Sequence, residues 1–247
     1  MHGRGLDDLT IDTNKYASLL PLRWDWEPIF EDNGLSRDSW HGVPGFSEYF
    51  GNGKRIFWFA LNLMQLDKQF VLIPYRDVQG RIFGMQGRNM DPHAETWYLW
   101  ASSAHTNSGA DFKQQAGVSL PAAVKQALAA QNQPLQSAVY GLQKADITVK
   151  YFEKIFANGG AGRDYVSKAG FDVMSVAGVS SYRRFLDAFK QMNVTQVVVA
   201  LDADYVDNQA VTRSMSRLID MLKEAGYPVY RAVRSENAAR PRKLTIC

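Results

Sequence analysis

The sequence predicts an α/β protein: a parallel sheet with flanking helices, preceded by an aromatic-rich, mainly antiparallel β region. Three observations carry this. From about residue 119 strand-like and helix-like segments alternate, the order that produces parallel sheets with right-handed crossovers. Val197–Leu201 is apolar without alternation, as a strand covered on both faces must be. Residues 69–101 instead hold short β-rich runs separated by turn residues, the pattern of a meander.

In chain order, Gly5–Ile11 suits a short helix with Asp7 or Asp8 near its start. The aromatics that follow (among them Trp24, Trp26, Trp40, Tyr49, Phe50 and Trp58) are expected to pack a core, or to form a stacking surface if basic groups accompany them. Phe70–Tyr75 reads as a strand, Asp77–Gly80 as a turn, Arg81–Arg88 as the return strand and Thr96–Trp100 as a third. Residues 102–118, containing Ser, Asn and Gly, read as an exposed loop and a domain boundary. This divides the chain into a 1–118 aromatic-rich β-containing region and a 119–247 α/β domain. Beyond it the pattern predicts helix 120–131, strand 136–140, helix 143–157, strand 171–177, helix 181–192, strand 194–201, helix 208–225 and strand 228–233.

The chain has 247 residues, 46% hydrophobic, enough apolar material to exclude a disordered polymer. Its single cysteine, Cys247, excludes an internal disulfide framework and any cysteine-based metal site within one chain. Without an apolar leader or a bilayer-length apolar run, the expected setting is cytoplasmic with no membrane partner. The net charge of +3 is unevenly placed. The segment from Tyr230 onward holds five basic residues and Glu236, leaving the rest at −1. The basic balance therefore belongs to the C-terminal tail and says nothing for nucleic-acid binding by the body.

The sharpest chemical feature is Val197-Val198-Val199-Ala200-Leu201-Asp202-Ala203-Asp204. Two carboxylates leave the carboxyl end of a buried parallel strand, where open α/β sheets bind ligands. Close carboxylates raise each other's pKa unless a divalent cation neutralises them, and Mg2+ (or Mn2+) suits a site of few carboxylates plus phosphate oxygens. Asp204 as a helix-start residue and Asp202 as a turn acid is the structural alternative. Asp-x-Asp after an apolar strand occurs in haloacid-dehalogenase-type phosphatases, in glycosyltransferases and in Toprim domains. The first two need much more sequence after the motif than the roughly 40 residues present here.

An earlier strand end supplies the second half of the pattern. Gly141-Leu142-Gln143-Lys144-Ala145-Asp146, about 60 residues before Asp202, resembles the Glu-Gly-x-x-Lys-Ala-Asp signature of the primase-like Toprim family of phages and integrative mobile elements, which is related to DNA primases. Ile73–Arg88, Tyr98–Ser103, Arg4–Leu19 and Val176–Tyr182 resemble the same family in order, over nearly the whole chain. The resemblance implies a Toprim-like parallel sheet and magnesium-dependent nucleotidyl transfer. It implies DNA or nucleotides as ligands and a replicative helicase as partner. Carried onto this sequence, it makes Asp202 and Asp204 metal-binding and catalytic, and Gly141, Lys144, Asp146 and Gly178 substrate-binding.

Two departures bear on activity. Tyr140 stands where the family has the Glu that acts as general acid/base, and a phenol with an ordinary pKa near 10 supplies no carboxylate at neutral pH. The last strand also runs into Arg234–Cys247 instead of the family's acidic segment, as a truncated, frame-shifted or divergent end would. Hence two readings stand beside each other: a primase-like enzyme, and an inactive nucleic-acid-binding or replication-assembly module. A phosphatase or glycosyltransferase is the third, and requires the strand before Asp202 to be first in its domain.

Other signals are weaker. Arg76, Arg81 and Arg88 suit either a nucleic-acid backbone or an exposed sheet face. Lys144 suits a phosphate contact or a solvated first helical turn. Neither Gly159–Gly162 nor Gly51-Asn52-Gly53-Lys54-Arg55 has P-loop spacing. His2, His41, His93 and His105 are scattered, and no nucleophile elbow accompanies them.

Overall fold

The structure is a computed structural model that describes residues 6–19, 31–36, 39–51, 54–59, 69–107, 109–111, 116–119, 155–159, 172–176, 179–200, 208–234 and 244–246. Two units divide the chain. One comprises Ile11–Tyr75 and Ile82–Lys113; the other comprises Met1–Thr10, Arg76–Arg81 and Gln114–Cys247. A short helix α1 (Asp8–Asn14) opens the described chain, with Asp8 in its first turn, where a carboxylate favours the unpaired N–H groups.

The first unit is antiparallel. Its strands are β1 (Ala17–Ser18), β2 (Phe46–Gly51), β3 (Lys54–Phe59), β4 (Phe70–Arg76), β5 (Ile82–Asn89) and β6 (Tyr98–Trp100). β2 and β3 pair as a ribbon, and the others form a sheet in the order β1-β4-β5-β6. The meander read from the sequence is present with ends shifted by one or two residues. Phe70, Leu72 and Ala101 make a small core with Leu19, Phe46, Met85 and Leu99 against it. Tyr75 is fully buried, lies 4.8 Å from the Trp100 ring and donates its hydroxyl hydrogen bond to Gln86 Oε1 at 3.0 Å. That bond satisfies two polar groups that burial would otherwise strand. After β6, Ser103 Oγ accepts from the Gly45 and Ala110 amides. A Cβ at Gly109 would collide with the Ser103 carbonyl, so this loop requires glycine there. The aromatic segment divides: Trp40 is buried, but Tyr49 and Phe50 on β2 are each 60% exposed.

The turn Arg76–Arg81 belongs with the second unit, and its Val78 is part of that unit's core. Asp77 organises it. Its Oδ1 accepts from the Gln79 and Arg81 amides, and its Oδ2 receives Arg81 Nε at 2.8 Å. Gly80 has φ +82°, a conformation glycine adopts without steric cost.

The second unit carries the α/β architecture. Its strands are β7 (Gly117–Val118), β8 (Ile155–Gly159), β9 (Val173–Val176), β10 (Val197–Val199), β11 (Val229–Arg234) and β12 (Leu244–Ile246). They form one sheet in the order β12-β11-β10-β8-β9-β7. β8, β9, β10 and β11 are mutually parallel, and the two edge strands are antiparallel. A 3-10 turn (Val179–Arg184) and helix α2 (Phe185–Gln191) connect β9 to β10, and helix α3 (Gln209–Glu224) connects β10 to β11. α3 starts on Asn208, whose Oδ1 accepts from the Ala210 and Val211 amides, a favourable cap. It buries Met215, Leu218 and Leu222 at helical spacing, and Gly226 follows it at φ +85°. Val197, Val198 and Val199 are 0–1% exposed between β11 and β8, as the unalternating apolar run requires.

Three expectations are corrected. Residues 155–157 are not the end of a helix over 143–157. They lie in β8, paired with β10 on one side and β9 on the other; residues 143–154 fall outside the described residues. Periodicity cannot separate a short apolar run in a helix from one in a buried strand, and here pairing on two sides decides. Residues 116–118 are not an exposed loop. Gly117–Val118 forms an edge strand against β9, with Val118 fully buried and Ser119 N donating to Val173 O at 2.8 Å. The tail, assigned no element, adds β12 beside β11. Helix 120–131 and strand 136–140 fall outside the described residues.

One pH-dependent contribution follows from this core. Tyr227 meets the Phe189 ring edge-on at 5.8 Å, and burial pushes its phenol above the ordinary value of 10. A phenol with a raised pKa binds its proton more tightly in the folded state. Its contribution is complete below the unfolded value and is lost as pH rises through the folded one. Tyr227→Phe is therefore expected to remove part of the alkaline loss of stability, read from denaturation midpoints of both proteins between roughly pH 8 and 11. Parallel pH profiles for the two proteins would count against it.

Candidate functional site

The parallel strands define where a ligand fits. In chain order they are β8, β9, β10, β11; in space they run β11-β10-β8-β9. From β8 the chain goes to one side, to β9, and then crosses to the other side, to β10. The carboxyl ends of β8 and β10 thus flank the point where strand order reverses, the position at which open α/β sheets bind ligands. Val199, the last residue of β10, is in register with Ala157, so Asn158 and Gly159 extend β8 past it. Gly159 is in register with Val176, the last residue of β9.

The residues predicted from sequence relate to this edge as follows. Asp202 comes three residues after β10 and Asp204 five; Gly178 comes two residues after β9. Asp202, Asp204 and Gly178 fall outside the described residues, as do Tyr140, Gly141, Lys144 and Asp146. What the structure brings together is the set of strand ends that lead into two of these segments. Sequence reasoning missed the first described parallel strand, β8, and with it Asn158-Gly159 beside the β10 end. The signal was present: an apolar triplet, Ile155-Phe156-Ala157, running into Asn-Gly-Gly. The strand before Asp202 is third, not first, among the described parallel strands, which is not the order an Asp-x-Asp phosphatase requires.

Ser175, in register with Asn158, is fully buried, and its Oγ has no hydrogen-bond partner. Among the described residues no group of three His, Cys, Asp or Glu side chains is placed to hold a metal. Two carboxylate donors at Asp202 and Asp204 match the oxygen chemistry of Mg2+. No helix among the described residues is long and apolar enough to cross a membrane.

The three arginines of the meander have different fates. Arg76 Nη1 donates to the Gly80 carbonyl at 3.1 Å, and Arg81 is locked on Asp77 with Nη2–Oδ2 at 2.8 Å. Both serve the turn. Arg88 instead lies between two rings, 5.9 Å from the Trp97 centroid and 5.7 Å from that of Tyr98.

Comparison with known proteins gives the class of fold. No family model matches the chain, and no curated protein matches it. Solved structures of primase catalytic domains do. A DNA primase domain from Pseudomonas aeruginosa is 16% identical with a TM-score of 0.54, over 94% of this chain and 61% of that one. The DnaG primase catalytic domain bound to single-stranded DNA is 14% identical with a TM-score of 0.55, over 96% and 62%. The zinc-binding and RNA polymerase domains of Aquifex aeolicus primase give 15% and 0.57, over 96% and 49%. The chain thus spans less than two thirds of the length of these neighbours. Its fold, a mixed α/β architecture with an antiparallel sheet and a small parallel sheet, is similar to part of a primase catalytic core.

Proposed function

We propose that this is a Toprim-type, primase-like protein of a mobile genetic element, acting in the cytoplasm on DNA or nucleotides by magnesium-dependent phosphoryl transfer. The observation that carries the proposal is the likeness to primase catalytic cores over 94–96% of the chain. It is supported by the β10 carboxyl end lying at the strand-order reversal three residues before Asp202. In this reading 119–247 is the Toprim-like domain, 1–118 the region preceding it, and a replicative helicase the partner. Asp202 and Asp204 would hold Mg2+ or Mn2+, whose charge offsets that of the phosphates. Gly141, Lys144, Asp146 and Gly178 would meet the substrate.

A second reading is favoured by Tyr140, which supplies no carboxylate where the resemblance expects Glu. It is a catalytically inactive nucleic-acid-binding or assembly module of the same ancestry. Primer synthesis on a single-stranded template with Mn2+ or Mg2+ separates the two. Synthesis by the wild-type chain supports the enzyme. Synthesis only by Tyr140→Glu supports the ancestry and a present inactive state. None by either protein overturns the enzymatic reading.

A further inference from the structure

The β2–β3 ribbon has one edge engaged and, among the described residues, one edge without a neighbouring strand. On β2, the Glu48 amide donates to the Asn107 carbonyl at 3.3 Å. β3 pairs with β2 from Lys54 to Phe59 and with no other strand among the described residues. The far end of the ribbon is accessible. Tyr49 and Phe50 are each 60% exposed, and consecutive strand residues face opposite sides, so both faces are open at that level. Tyr49 is in register with Ile56 and Phe50 with Arg55, which places the first half of β3 at the same level. A two-stranded ribbon is marginally stable by itself, and an edge strand is a template for another strand. Lys54 and Arg55 guard one end of β3, but Ile56-Phe57-Trp58-Phe59 is an unbroken apolar run.

The order of charges and rings along β3 selects its partner. Backbone groups of successive residues point to opposite edges, so β3 pairs antiparallel with its own copy only when centred on a residue. Centred on Arg55, the pairing sets two arginines opposite each other, which is unfavourable. Centred on Phe57, it leaves Lys54 beyond the paired stretch. Centred on Ile56, it sets Lys54 opposite the second copy's Trp58 and Arg55 opposite its Phe57, and symmetry repeats both pairs. Each cation then lies opposite an aromatic residue, a favourable partner, and Ile56 meets its own copy on the two-fold axis. Such self-complementarity is what an isologous dimer requires.

We infer that β3 is a dimerisation edge. Two copies of the chain pair antiparallel through Lys54–Trp58, centred on Ile56, and the two ribbons join into one four-stranded sheet. The inference does not rest on the proposed activity and stands or falls separately from it.

Disulfide trapping on the full chain tests it, in a Cys247→Ser background that removes the one native cysteine. Ile56→Cys is expected to give a covalent dimer under mild oxidation. Residues directly opposite in an antiparallel pair have Cα atoms about 4.5–5.5 Å apart, within disulfide reach. Lys54→Cys is expected to stay monomeric, because the two copies of that position would lie about 13 Å apart along the strands. Sedimentation of the wild-type chain should show a monomer–dimer equilibrium that shifts with concentration. Ile56→Lys sets two lysines opposite each other and should raise the dimer dissociation constant about tenfold or more. Ile56→Val, which keeps an apolar β-branched residue on the axis, should dimerise like wild type. A wild type that stays monomeric at every concentration overturns the inference. So do equal trapping at positions 54 and 56, and a dimer that Ile56→Lys leaves intact.

Discussion

Mn2+ titrated calorimetrically into the chain is expected to give a saturable heat, and Asp202→Asn/Asp204→Asn is expected to abolish it. Two carboxylates separated by one residue at a strand end repel each other, and the lowest-energy way to keep both ionised is a shared cation. Amides keep the shape of the side chains and remove both charges, so the variant isolates the charge from the packing. Mg2+ and Mn2+ both accept oxygen ligands and retain positions for phosphate. Chelating the metal should stop any primer synthesis as completely as the double variant does. Equal heats from the two proteins would sink the metal site, and with it phosphoryl transfer through these carboxylates.

Phe189→Ala is expected to destabilise the second unit by about 3–5 kcal/mol, the range for a fully buried phenylalanine truncated to alanine. Phe189 has no exposed surface. Its ring stacks on Phe185 at 5.5 Å and meets Tyr227 edge-on at 5.8 Å, so the cavity opens between α2 and the chain that follows α3. For a unit of this size the loss corresponds to roughly 6–20 °C in melting temperature. Leu9, 68% exposed on α1, gives the contrast: Leu9→Ala should stay within about 0.5 kcal/mol of wild type. A melting temperature for Phe189→Ala within a degree of the Leu9→Ala value would show that the buried cluster does not carry the stability assigned to it.

The strand that leads to the proposed site was legible in the sequence. Asp202 and Asp204 stand out because an unbroken run of β-branched valines reads as a strand buried on both faces, and open α/β sheets bind ligands at the carboxyl ends of such strands. The structure agrees on that strand. It adds the neighbour: β8, with Asn158-Gly159 beside the β10 end, which was read as helix because Tyr151 and Ile155 are four residues apart. Arg88 could not be told from Arg76 and Arg81 in sequence. Each is an arginine in a β-rich run, and their difference lies in which oxygen or ring each one meets.

What the sequence by itself determined is local. The turn at Asp77–Gly80, the Asn208 cap, the helix that Gly226 ends and the burial of Val197–Val199 all depend on residues close together in the chain. Short-range sterics, capping and hydropathy suffice to specify them. The tertiary structure decided the rest: the order β11-β10-β8-β9, the recruitment of 155–159 into the sheet, the edge strands β7 and β12, and the isolation of Arg88 between two rings. These depend on partners that lie from about ten to nearly sixty residues away in the chain, and the sequence of one strand alone does not say which strand it will pair with. The reversal of strand order beside β10, which gives the Asp202 segment its proposed meaning, is a property of the sheet and of no single stretch within it.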